Sequence, residues 1–87
     1  MKPRDTFFSR EHRYSLGVDE ESGQHFASLP VSNGVVDYEE YFGLSVAEYA
    51  EYLADPAKAV AFVEQCRLRQ HDDRLVQQPG RNRGTSV

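Results

Sequence analysis

The hydrophobic period of this chain changes once, and that change constrains the fold more than any other feature. Between residues 12 and 42 apolar residues alternate with polar ones in three stretches. Tyr14, Leu16 and Val18 alternate in a first stretch (12–18), Ala27, Leu29 and Val31 in a second (24–32), and Val36, Tyr38 and Phe42 in a third (35–42). Period two is the mark of half-buried strands. From residue 45 the spacing becomes helical. Ser45-Val46-Ala47-Glu48 is a capping box, with Leu44 and Tyr49 placed as a hydrophobic staple. Asp55-Pro56 stops that helix and starts the next, since Asp is a good N-cap and Pro suits the first helical position. Ala59, Phe62, Val63 and Cys66 then form an apolar stripe on a helix expected to run from Pro56 to about Leu75.

Strands first and helices after predict an α+β fold: a three-stranded antiparallel β-meander followed by two α-helices packed on one face. Residues 1–76 form the expected domain. Residues 77–87 carry Pro79, Gly80 and Gly84 with almost no apolar content, and are expected to form a disordered tail. Residues 1–10 fit either an edge segment or a stretch packed under the helices through Phe7 and Phe8.

The sharpest local signal is Asn33-Gly34, a pair that tolerates the positive φ of a type I′ turn. A two-residue Asn33-Gly34 loop pairs Val31 with Val36, Leu29 with Tyr38 and Ala27 with Glu40. It also sets Pro30 opposite Asp37 at a hydrogen-bonded position, where proline has no N–H to give. Burying Leu29 and Val31 outweighs one lost ladder bond, so this register is expected, with local distortion at Pro30.

Eighty-seven residues make one domain with a thin core. The single cysteine, Cys66, rules out an intrachain disulfide, which leaves local structure or self-association as the source of extra stability. A homodimer is expected on that ground. No signal peptide or apolar span is apparent, and one unpaired cysteine suits a reducing, cytoplasmic setting.

Charge is segregated. Residues 14–57 contain no Lys or Arg and carry −9, while residues 1–13 carry +2 and residues 58–87 carry +3. Tyr38, Tyr41, Phe42, Tyr49 and Tyr52 fall within the acidic stretch, among Glu39, Glu40, Glu48 and Glu51. Exposed tyrosines among carboxylates suit a protein-binding surface. The candidate contact residues are Asp37, Glu39, Tyr41, Glu48 and Tyr52, and the expected partner is a basic protein or the basic end of a second copy. Glu40 stands apart: it alternates with Tyr38 and Phe42 on the core face, so it belongs at the sheet margin or beside a base.

Two other classes of function remain open. Arg67, Arg74, Arg81 and Arg83 are candidate nucleic-acid contacts, with Arg67 and Arg74 seven apart on one helix face, although a pI near 5.2 opposes phosphate binding. A small enzyme would draw on His25 with Asp37 or Glu40, or on a Cys66/His25 pair. No cofactor motif, Gly-rich phosphate loop or zinc spacing is present, so neither cofactor nor metal is expected.

Overall fold

The computed structural model describes residues 1–77 and 83–86. Four strands form an antiparallel meander: β1 (Pro3–Ser9), β2 (Tyr14–Asp19), β3 (His25–Ser32) and β4 (Asp37–Leu44). Two helices follow, α1 (Val46–Ala54) and α2 (Pro56–Arg67), then a 3₁₀ turn (Asp72–Arg74) and a two-residue strand, β5 (Thr85–Ser86). The fold is α+β, with four meander strands where three were expected. No helix among the described residues is long and apolar enough to cross a membrane.

The added strand is β1. Its residues are almost all exposed, so it leaves no burial period in the sequence. A bulge between Asp5 and Phe7 breaks its pairing with β2 and turns Thr6 toward the helices, where its hydroxyl bonds the Leu16 carbonyl at 3.2 Å and meets the Tyr49 hydroxyl. Phe7 packs on Tyr14 at 5.9 Å between ring centres, while Phe8 points to the other face opposite Ser15.

The β3–β4 turn corrects the expected register. Ser32 pairs with Asp37, Val31 with Tyr38, Leu29 with Glu40 and Ala27 with Phe42. The tight loop is Gly34-Val35, and Asn33 N–H donates to Val36 O at 3.2 Å. Gly34 (φ +88°) has positive φ at the first central position only, the pattern of a type II′ turn rather than I′. The Asn33 side chain accepts from the N–H groups of Val35 and Val36 at 3.0 and 2.8 Å, which draws the loop one residue onward. Pairing in an antiparallel ladder alternates, so Pro30 now sits opposite Glu39 at a non-hydrogen-bonded position. Its missing N–H therefore faces away from β4, and the distortion expected there is not needed. The slip relative to expectation is two residues, so every side chain keeps its face.

The core lies between one sheet face and α2. Tyr14, Leu16, Ala27, Leu29, Phe42 and Leu44 pack against Ala59, Phe62, Val63 and Cys66, with Tyr49, Tyr52 and Val60 at the margin. The capping box forms as read: Glu48 N–H donates to Ser45 Oγ at 3.1 Å and Ser45 N–H to Glu48 Oε1 at 2.9 Å. Asp55 caps α2 through Ala57 N–H at 3.2 Å.

α2 ends at Arg67, not near Leu75. Past Cys66 the next positions on its buried stripe are Arg69 and Gln70, so nothing holds the helix on the core, and Arg69 takes a left-handed conformation (φ +59°). The chain turns back through Asp72–Arg74 and buries Leu75, which bridges to Phe42, while Val76 N–H donates to Tyr41 O at 2.9 Å. The tail is not unstructured throughout: residues 83–86 are seated on β3, whereas 78–82 and Val87 lie outside the described residues.

Candidate interaction surface

No helix among the described residues covers the second face of the sheet. Strand alternation puts Asp37, Glu39 and Tyr41 of β4 on it, beside Pro30, Ser28 and Phe26 of β3, Ser15 and Gly17 of β2, and Asp5 and Phe8 of β1. Four flat strands would hold β1 and β4 about 14 Å apart. Here Phe26 is fully buried on this face with its ring against Tyr41, so the flanking strands curl around it and the face is concave. Burial raises the pKa values of Glu39 and Tyr41, and the Asp5 charge adds to both. The backbone of β1 bends over Gly17, where an added Cβ would stand 2.3 Å from the Arg4 carbonyl oxygen. Phe26 fills the hollow, fully buried, with its ring edge-on to Tyr41 at 4.9 Å.

Burial raises the Glu39 carboxyl first, and the Asp5 charge adds to it. Asp5, Asp37 and Glu39 form no ion pair among the described residues. Phe8, 61% exposed, stands at the rim.

The remaining members of the expected patch lie on the helix side. Glu48 accepts from Arg74 Nη1 at 2.8 Å as well as closing the capping box. Tyr52 packs on Phe62 at 5.3 Å. Asp37, Glu39 and Tyr41 are thus brought together, and Glu48 and Tyr52 are not with them. Asp5 and Phe8 join the face from a strand whose distance in sequence hides the proximity.

Three of the four candidate nucleic-acid arginines are committed within the fold. Arg67 donates to Glu64 and to the carbonyls of His12 and Arg13 (3.0 Å to Arg13), which pins the β1–β2 turn to the end of α2. Arg74 bridges Glu48 and Gly43 O and lies over the Phe62 ring at 5.4 Å. It is on the 3₁₀ turn, so it does not share a helix face with Arg67. Arg83 is held by two carboxylates, Glu40 and Asp72. Of the two places open to Glu40, the sheet margin or beside a base, the structure shows the second, with Arg83, 43 residues away, as the base. Arg81 lies outside the described residues.

The catalytic candidates are also occupied. His25 packs against Tyr49 at 4.4 Å between ring centres, with the planes tilted by 44°, at the wall of an open groove of about 540 Å³ lined by Gln24, Gly43, Ser45 and Val46. Cys66 is buried in the core, and burial pushes its thiol up to about 12, so thiolate is scarce at neutral pH. Among the described residues no three His, Cys, Asp or Glu side chains gather to hold a metal ion.

The Glu48–Arg74 pair and the hydrogen bonds to Asp19 set the response to acid. Arg74 holds Glu48 at about 2, and three donors (Lys2 N–H, Ser22 Oγ–H and Glu21 N–H) hold Asp19 at about 2. Both values are depressed on folding. Their contributions are complete above the ordinary carboxylate range and are lost as pH falls toward about 2. Urea midpoints should therefore fall steeply between about pH 4.5 and pH 2, and Glu48→Gln should flatten part of that fall. A midpoint independent of pH over this interval would contradict the pairing.

Comparison of the chain with protein-family models, with curated proteins and with solved structures finds no match.

Proposed function

We propose that this chain is a small non-catalytic interaction module that presents the concave, helix-free sheet face to a basic segment of a partner protein. The observation that carries the reading is the convergence of Asp5 and Glu39 beside Asp37, Tyr41 and exposed Phe8, with no cation paired to these carboxylates among the described residues. A carboxylate whose pKa is raised by burial and by a second carboxylate gains from an incoming ammonium or guanidinium. An aromatic rim beside it supplies apolar area to the same contact. The nucleic-acid alternative is weakened because Arg67, Arg74 and Arg83 each pair with carboxylates of their own fold.

A Lys-rich, glycine-free dodecapeptide titrated onto the protein by fluorescence anisotropy at low and high salt tests this. Glu39→Lys should weaken binding by at least tenfold, about 1.4 kcal/mol. Asp73→Lys, which changes an exposed carboxylate elsewhere, should change it far less. Equal losses for the two variants would reduce the effect to net charge and remove the assignment of this face.

A further inference from the structure

β2 pairs with β3 only from His25 to Ser28, whereas β4 pairs with it as far as Ser32. The second edge of β3 is therefore open beyond Ser28, and β5 fills its end, with Thr85 opposite Ser32 and Ser86 opposite Val31. Just before β5, Arg83 enters a pincer. Its Nε and Nη2 donate to Glu40 Oε2 and Oε1 at 2.7 and 3.0 Å, and its Nη1 and Nη2 donate to Asp72 Oδ2 and Oδ1 at 2.7 and 3.0 Å. Glu40 and Arg83 are 8% and 13% exposed. Gly84 follows, buried, with its N–H donating to the Tyr38 hydroxyl at 2.7 Å and its carbonyl accepting from Arg69 Nη2 at 3.3 Å. An added Cβ on Gly84 would stand 2.5 Å from the backbone carbonyl of Ser32.

Every group that receives this segment belongs to β3, β4 or the turns after α2. Each also selects. Two carboxylates each held bidentately by one guanidinium favour arginine over lysine, whose three ammonium donors cannot supply two planar forks. The Ser32 carbonyl admits only glycine next, and the open β3 edge takes two extended residues by strand addition. From this we infer that the Glu40–Asp72 pincer, the Tyr38 hydroxyl and the free edge of β3 form a receptor for an extended Arg-Gly segment, and that its occupant in trans is residues 83–86 of a second copy.

Each copy carries both receptor and ligand, so reciprocal exchange closes a two-fold dimer with no surface left over. An emptied receptor leaves two carboxylates facing each other, one of them nearly buried, which favours refilling from any source. In the intact chain the tail is tethered at an effective concentration of about millimolar, so the closed monomer prevails in dilute solution. This site is separate from the helix-free sheet face, and the two stand or fall independently.

Complementary variants of the full chain provide the test. Glu40→Gln with Asp72→Asn spoils the receptor and keeps the tail, whereas Arg83→Ala keeps the receptor and spoils the tail. Neither alone should self-associate. Mixed, they should give a 1:1 complex of twice 9.9 kDa by light scattering. Arg83→Lys in the tail donor should weaken that complex at least tenfold. No complex at protein concentrations approaching millimolar overturns the inference, as does one that tolerates Gly84→Val in the donor. If Arg83→Ala does not fold alone, addition of the donor chain must restore its cooperative thermal transition. Failure to do so overturns the inference equally.

Discussion

Gly17→Ala should lower the melting temperature by about 15 °C, one of the largest effects available to a single methyl group in this protein. The reason is steric rather than conformational. A Cβ at this position stands 2.3 Å from the Arg4 carbonyl oxygen and 2.7 Å from the tip of the Phe26 ring. The first neighbour is backbone and cannot rotate away, so β1 must lift off or β2 must move. Overpacking of this kind costs about 3 kcal/mol. At 4–8 °C per kcal/mol for a domain of about this size, that is the stated fall. Differential scanning calorimetry gives the melting temperature, and amide exchange locates the damage: protection should be lost first in the β1–β2 ladder. A melting temperature within about 3 °C of the parent would mean that β1 does not cross Gly17.

Phe26→Ala should cost about 3–5 kcal/mol, as much as a residue at the centre of the helix-packed core. On a solvated sheet face the same change would cost less than about 1 kcal/mol. The difference arises because the curl of the sheet buries Phe26 completely between Gly17 and Tyr41 without help from a helix. Urea unfolding followed by circular dichroism measures it, and a loss below about 1 kcal/mol would rule out this burial of Phe26. The two changes should not add. Removing the ring relieves one of the two clashes that Gly17→Ala introduces and leaves the one with the Arg4 carbonyl, so the double variant should be less damaged than the sum.

Much of the fold is legible in the sequence wherever local rules decide. The strand-to-helix order, the Ser45–Glu48 box and the Asp55-Pro56 boundary depend on residues within four positions of each other, and each forms as read. The faces of β3 and β4 are also legible, because alternation fixes them even when the register slips by two. What escapes depends on partners far along the chain. β1 carries no period, since it is exposed and bulged. α2 ends early because Leu75 returns to Phe42, a contact across 33 positions that no local pattern announces. At the candidate surface, alternation groups Asp37, Glu39 and Tyr41, but Asp5 joins them only through the curl. The tyrosine-rich stretch looks continuous in sequence, yet Gly43–Ser45 turns it from one side of the sheet to the other. Glu40 shows the boundary most sharply: its place among core-facing residues leaves the sheet margin or a neighbouring base, and only the folded chain reveals that the base is Arg83.

The return of Leu75 and Val76 to β4 has a consequence for the order in which the molecule is made. On the ribosome β4 emerges well before those two residues. In that interval its outer edge offers bare N–H and C=O groups, and Phe42 lacks its last apolar neighbour. The meander can form hairpin by hairpin as it emerges, because its pairings are between neighbours in sequence. The seal on β4 waits for translation of the segment beyond α2. The vulnerable time of this protein is therefore the delay of about thirty residues of synthesis between Leu44 and Val76, a matter of seconds at ordinary elongation rates.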